Sequence, residues 1–251
     1  MLEALLIRFH QHDRQALSRL VSHVARGEYL REITTALQAP AESSRVVAVT
    51  GSAGVGKSTL IGKLIEFLRR QQLTVAVLAC DPQSPLSGGA LLGDRFRMPA
   101  DPIDEGVFIR SLAVPSGHGA VADHLGPMLR LLEAFGFDVV FIETVGAGQG
   151  DTAVRHLADV VVLLLQPETG DELQWEKAGV LEIADIIAIH KADLPQAATV
   201  ASQVRSILAL SGQQGPSVLR VSAKTGEGIE KLWQVIAEHP LRRFQKEVDV
   251  G

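Results

Sequence analysis

Cysteine is almost absent: Cys80 is the only one in 251 residues. That excludes an intramolecular disulfide and any zinc cage built on several thiolates. Cys80 lies inside an apolar run, where a cysteine serves as a small buried filler. Long hydrophobic runs are missing too. Although 46% of the residues are hydrophobic, no uninterrupted stretch approaches the roughly 20 residues of a membrane span. The opening MLEALLIRFHQHDR also lacks the layout of a secretory peptide. Nor is there a surplus of positive charge, since the formal net charge is −5, and nucleic-acid binders usually carry a basic face or stripe. There is no Cys-x-x-Cys and no histidine-rich tract, the eight histidines being scattered, and no internal repeat. These absences predict a soluble cytoplasmic protein with no nucleic-acid and no membrane partner, built as one large domain with a small appendage.

Two segments, Leu2–Phe9 and Arg14–Thr35, carry apolar residues at helical spacing, among them Leu17, Leu20, Val21 and Val24, with Asp13 placed as an N-cap. They predict an N-terminal helical appendage over residues 1–44, packed on its own domain. Ala39-Pro40-Ala41-Glu42-Ser43-Ser44 breaks the pattern as a connector does. From Arg45 onward β-rich runs recur between helix-length segments: 46–51, 74–81, 107–112, 138–146, 159–167, 185–193 and 217–223. Runs apolar on both faces predict an α/β fold, a mostly parallel sheet flanked by helices, over residues 45–240, followed by a short tail at 241–251. In such sheets ligands bind beyond the carboxyl ends of the strands. The polar motifs GSAGVGKST, DPQS, ETVG, HKAD and SAKTGEG all follow directly after a strand.

Gly51-Ser52-Ala53-Gly54-Val55-Gly56-Lys57-Ser58-Thr59 satisfies G-x-x-x-x-G-K-[ST], between a β-run and the helical pattern LIGKLIEFLRR. Its glycines let the backbone wrap phosphates with N–H groups inward, while the following helix offers its positive end. Lys57, otherwise solvent-facing, is expected on the β- and γ-phosphates, Ser58 on Mg²⁺ and Thr59 near the α-phosphate. Magnesium takes hard oxygen ligands, and three acids stand near: Asp81 closing one strand, Asp94 in a glycine-rich loop and Glu143 closing another. Glu143-Thr144-Val145-Gly146 occupies the place of the D-x-x-G switch of common GTPases, in which the Gly146 N–H would sense the γ-phosphate. Gln149 and Asp151, just beyond it, are candidates for orienting the attacking water.

His190-Lys191-Ala192-Asp193 and Ser222-Ala223-Lys224 sit where GTPases carry N-K-x-D and S-A-K. Asp193 can accept from the guanine N1–H and exocyclic amine, a pattern adenine does not present, and Lys191 would lay its stem along the base. His190 replaces the usual asparagine, whose amide bridges base and phosphate loop. Either affinity is weakened, or an imidazole nitrogen takes over.

Taken together, GSAGVGKST, DPQSPLSGGALLGDRFRM, ETVGAGQGD, QPETGDELQWEKAGVLEIADI, HKAD and SAKTGEG resemble the MeaB/ArgK family of G3E GTPases, of the SIMIBI type of P-loop proteins. The resemblance implies GTP hydrolysis with Mg²⁺ and GTP or GDP as ligands, slow until a partner binds, in a chaperone of an adenosylcobalamin-dependent acyl-CoA mutase. It implies that Asp81, Asp94 and Glu143 belong to the magnesium and switch apparatus. Gln174 and Lys177, in the GDELQWEK segment, would belong to a mobile element coupling nucleotide state to the mutase. Gln174-Trp175-Glu176-Lys177-Ala178 departs from the family's usual Q-G-I-K-K, which bears on the choice of client. Family members usually continue into a helical dimerisation arm. Residues 241–251 offer only a short tail, so a homodimer is compatible with the sequence but not through that arm. Two other readings share the phosphate loop: a P-loop kinase, which gains nothing from HKAD and SAK, and a G3E metal-insertion GTPase, which requires metal ligands. A binding module without turnover is a third.

Overall fold

In the apolar runs neighbouring residues point to opposite faces, and both faces are dry. In β1 (Arg45–Thr50) Val46 and Ala48 join one core cluster, Val47 and Val49 the other. The same division holds in β2 (Val75–Pro82), where Ala76, Leu78 and Cys80 oppose Val75, Val77 and Ala79, and in β4 (Val139–Glu143), where Val140 and Ile142 oppose Val139 and Phe141. This is the period of two expected of a strand covered on both sides. Each large side chain so buried stabilises the fold by about 1.5–3 kcal/mol.

This computed structural model describes residues 2–37, 43–82, 104–114, 121–146, 152–167, 183–210 and 215–242. With β3 (Val107–Val114), β5 (Val160–Leu165), β6 (Ile186–Ile189) and β7 (Ser217–Arg220), the strands form one seven-stranded sheet in the order β3-β2-β4-β1-β5-β6-β7. Every pairing is parallel, with Val49 opposite Glu143 and Ala79 opposite Glu143 in the registers around β4. All seven predicted β-runs are strands. Because they run parallel, all their carboxyl ends lie along one edge, with β1 in the middle.

Helices cover both faces. On one side lie α1 (Leu2–His10), α2 (Arg14–Ala25), α3 (Leu30–Ala36) and α5 (Leu125–Phe135), whose Phe9, Leu17, Leu20, Val24, Ile33 and Leu132 meet the even-numbered residues of β1, β2 and β4. On the other lie α4 (Lys57–Arg70) and α8 (Ile229–Glu238), through Leu60, Ile61, Leu64, Leu68, Leu232 and Ile236. The four-residue α6 (Thr152–Arg155) precedes β5, and α7 (Ala197–Leu210) packs on β5 and β6 through Ala197, Ala201 and Val204.

Asp13 caps α2, its side chain accepting from Gln15 N at 2.8 Å and Ala16 N at 3.2 Å, worth about 1 kcal/mol. The expected single helix over 14–35 is two helices. Gly27 takes a left-handed φ of 72°, and Gly27 N and Glu28 N donate back to Val24 O and His23 O, each at 2.9 Å. That pair of bonds closes α2 as a Schellman motif, so local backbone geometry overrides apolar spacing that would carry on.

At the amino edge of the sheet one device recurs. The aspartates that precede β4, β5 and β6 each accept a backbone N–H at the start of the neighbouring strand: Asp138 from Thr74, just before β2, at 2.6 Å, Asp159 from Val46 of β1 at 2.9 Å and Asp185 from Val161 of β5 at 2.8 Å. Asp185 also receives Arg155 Nη1 at 2.6 Å and the Arg242 guanidinium. Burial pushes its carboxyl up, but the hydrogen bonds from Arg155, Arg242 and Val161 outweigh this and hold it below the usual carboxylate value.

Candidate nucleotide site

The phosphate loop leaves the carboxyl end of β1 and enters α4, as the strand-loop-helix setting predicts. Gly51 has φ 144°, and a Cβ there would stand 2.6 Å from the Leu164 carbonyl oxygen of β5, so only glycine lets the loop turn so close to the sheet. The crest, Ser52 to Gly54, is exposed, while Gly51 and Val55 are buried. The N-cap of α4 is Gly56, which has no side chain to cap the helix, so the first N–H groups of α4 are suited to an anion at the site.

Lys57 is only 6% exposed rather than solvent-facing. Its ammonium folds back on the loop, donating to Gly51 O at 2.9 Å and Ser52 O at 3.2 Å. Burying an ammonium requires such acceptors. Ser58 is buried and donates from Oγ to Glu143 Oε1 at 2.7 Å. Thr59, in contrast, is exposed.

Glu143 ends β4 between β1 and β2, and Asp81 lies two residues beyond Ala79, the β2 residue opposite Glu143. The two acids therefore share a strand parity and the face of the sheet that α4 covers. Both are buried, Asp81 at 8% and Glu143 at 5% exposure. Between them in sequence register, Cys80 points to the other face, where it accepts from Ala122 N at 3.4 Å. Burial, with added repulsion from Asp81 and Glu143, pushes its thiol up to about 12. Cys80 is an inert filler here, as expected of it.

The Ser58 hydroxyl and the Glu143 carboxylate it meets, with the Asp81 carboxylate on the same face of the adjacent strand, are hard oxygen donors of the kind Mg²⁺ takes. Among the described residues no group of three or more His, Cys, Asp or Glu is placed to hold a metal ion by itself. Magnesium needs none, since it is held by one or two protein oxygens together with substrate phosphates and water. After Glu143, Thr144 N donates to Val49 O and its hydroxyl to Thr50 Oγ1, both at 3.1 Å, tying the start of the switch segment to β1. A Cβ on Gly146 would stand 3.8 Å from Ala53 N, so the segment runs beside the phosphate loop. Asp94, Gln149, Asp151, Gln174 and Lys177 lie outside the described residues.

Beyond β6 the HKAD segment turns sharply, with Lys191 at φ 55°. Ser222, fully buried after β7, donates from Oγ to Asp193 Oδ1 at 2.7 Å and accepts from Thr225 N at 3.2 Å. Ala192 N donates to Val221 O at 3.0 Å, joining the two segments through the backbone as well. The Ser222 hydrogen bond, aided by Lys224 with its Nζ 3.9 Å away, holds the Asp193 carboxyl below its ordinary value. Asp193 is thus an ionised acceptor held in place by a neighbour. Ala223 is buried and Lys224 largely exposed. His190, 5% exposed, places Nδ1 2.9 Å from Val55 O. Of the two outcomes the sequence left open for His190, this contact is the one in which an imidazole nitrogen reaches the phosphate loop. The Thr50–Thr144 hydroxyl pair and the bracing aspartates were not anticipated. Only the position of each aspartate, one residue before an apolar run, hinted at the last.

A parallel sheet with a phosphate loop on its central strand, buried acids on the next two strands to one side and an aspartate-serine pair at the same edge defines the P-loop GTPase class. Over residues 16–247 the sequence matches the family described as methylmalonyl Co-A mutase-associated GTPase MeaB. A Pyrococcus abyssi protein bearing the name of a GTPase is 41% identical over 246 residues, covering 95% of this chain and 76% of that protein. The mouse mitochondrial methylmalonic aciduria type A homolog is 39% identical over 199 residues, 76% of this chain and 48% of the homolog. Among solved structures, that of an LAO/AO transport system kinase superposes with a TM-score of 0.70 at 28% identity, over 94% of this chain and 74% of that one. The chain belongs to the MeaB family of GTPases.

Among the described residues no helix is long and apolar enough to cross a membrane.

Proposed function

We propose that this chain binds GTP with Mg²⁺, hydrolyses it slowly, and serves as the chaperone of an adenosylcobalamin-dependent acyl-CoA mutase. The observation that carries the nucleotide reading is the convergence, at one edge of the sheet, of Lys57, the Ser58–Glu143 bond and the Ser222-held Asp193. The phosphate loop backbone, the first turn of α4 and Lys57 would compensate charge on the transferring phosphoryl group, since positioning and electrostatics dominate such reactions. Ser58, Asp81 and Glu143, with Asp94, would hold Mg²⁺, which would supply charge neutralisation at the phosphates. Asp193 would accept from the N1–H and exocyclic amine of guanine, with Lys191 along the base and Ser222, Ala223 and Lys224 closing its side. Gly146, running beside Ala53, would report the γ-phosphate to the segment that follows.

The mutase part of the proposal is supported by the family description and by the mouse homolog. In that scheme the GDELQWEK segment, with Gln174 and Lys177, couples the nucleotide state to the client, and the triphosphate and diphosphate states gate cofactor delivery or protect the mutase. A kinase reading follows from the name of the superposed LAO/AO transport system kinase, but the Asp193–Ser222 arrangement reads a base and offers nothing to a phosphate acceptor. Steady-state phosphate release with and without a saturating acyl-CoA mutase tests the whole. The expected result is slow basal release of phosphate from GTP, accelerated by one such mutase, with Lys177→Ala removing most of the acceleration. No release above background sinks the enzyme reading, and release indifferent to every mutase sinks the chaperone reading.

A further inference from the structure

His190 stands at the head of the base-reading segment, yet its ring Nδ1 is turned to the phosphate loop. Nδ1 lies 2.9 Å from the Val55 carbonyl oxygen, and a carbonyl only accepts, so Nδ1 carries the hydrogen. The ring is 5% exposed. Burial, reinforced by the charge of Lys191, disfavours the imidazolium, against the opposing pull of Val55 and Asp193. A neutral imidazole has one N–H, and it is committed to the loop, leaving Nε2 as a bare acceptor.

Ring and loop are also fitted in shape. A Cβ on Gly56 would fall 2.5 Å from His190 Cε1 and 2.6 Å from Nδ1. Gly56, at φ 101°, thus serves the turn and makes room for the imidazole. The His190 backbone is fixed in turn, its N–H donating to Leu165 O at 2.7 Å. An amide side chain in this place would carry two N–H donors, enough for the Val55 carbonyl and a ligand acceptor at once. The histidine has one.

We propose that His190 is a positioning residue that latches the phosphate loop to the base-reading segment while presenting no donor to the purine, so that guanine is read at its N1–H and amine edge and its N7 acceptor is not read. This rests on the GTP reading above and specifies which edge of the base decides selectivity. Guanine offers acceptors at N7 and O6 and donors on the opposite edge. Asp193 is an acceptor and serves the donor edge.

The test uses the full chain with Mg²⁺ and three ligands in calorimetry: GTP, ATP and 7-deaza-GTP, in which a C–H replaces N7. Wild type is expected to bind GTP and 7-deaza-GTP within about twofold of each other, while preferring both to ATP. His190→Asn is expected to bind GTP at least as well as wild type and to prefer it over 7-deaza-GTP by about fivefold, the worth of one neutral hydrogen bond. His190→Ala should weaken GTP and 7-deaza-GTP equally, because the latch is lost and no base contact with it. A wild-type preference for GTP over 7-deaza-GTP of about fivefold or more overturns the inference, as does an asparagine variant with no new preference. Wild type that fails to prefer GTP to ATP overturns the GTP reading instead.

Discussion

The hydroxyl of Ser58 donates a 2.7 Å hydrogen bond to Glu143, joining the first turn of the phosphate-loop helix to the end of β4. Two groups far apart in sequence share one buried spot, and both are suited to a hard cation. Ser58→Ala is expected to keep the fold but to lower the magnesium-dependent gain in GTP affinity by about tenfold or more, on the scale of losing a partner in a metal's ligand set. The dissociation constant for GTP with Mg²⁺ and with EDTA, in wild type and variant, reads this. An unchanged ratio removes Ser58 from the metal site.

Asp193 is held by Ser222 Oγ at 2.7 Å. In Asp193→Asn the amide oxygen can still accept from Ser222, so the segment stays in place, but an NH₂ now faces a base edge made of donors. The GTP-to-ATP affinity ratio should fall by about tenfold or more, because a site built on such bonds rejects the mismatched ligand strongly. Competition binding of the two nucleotides checks it, and a wild-type ratio would place base readout elsewhere.

Burial holds the His190 imidazole below its ordinary value of 6.5. Below that value the unfolded chain takes up the proton while the folded chain resists it, so the unfolded state binds more protons and stability rises with pH. The contribution is complete above 6.5 and is lost as pH falls through the lower folded value. Melting temperatures followed from about pH 7 to about pH 5 should decline less steeply in His190→Asn than in wild type. Parallel declines would show that the ring titrates freely in the folded protein.

Asp185 joins Arg155 of α6, Arg242 beyond α8 and the backbone of β5 at the edge of the sheet away from the phosphate loop. Removing it in Asp185→Ala leaves two guanidinium groups without their shared acid. The cost is expected at about 3 kcal/mol, the low end for breaking a buried ion pair because both arginines keep some contact with water. That corresponds to a melting temperature lower by about 6–12 °C. GTP affinity measured below the transition should stay within about twofold of wild type, and a large loss of affinity would mean that the two edges are coupled.

Much of the fold was legible because its signals are local. The seven β-runs, the Asp13 cap and the strand-loop-helix around Lys57 are each written within a dozen residues. The break at Gly27 was less legible, since apolar spacing continues across it, and it depends on how two backbone N–H groups close α2. Lys57 was expected to face solvent, yet the loop's own carbonyls hold it inside. Thr59 and Ser58 are neighbours in the motif, but one is exposed and the other buried, because successive residues of a helix point in different directions.

The parallel sheet, the motifs along its carboxyl edge, and the phosphate loop with its hydroxyl, acid and base-reading candidates could all be read from the chain. Those facts follow from residue type, periodicity and short spacings, which act through neighbouring chain. The packed structure added what the acids at the other ends of the strands do: Asp159 and Asp185, which precede strands, accept backbone N–H groups from Val46 and Val161 at the amino edge, away from Asp81 and Glu143. It also decided that Ser58 meets Glu143 across 85 residues and that His190 meets Val55 across 135. Strand order sets those contacts, through the packing of helices on two faces, and no local pattern in the chain carries it.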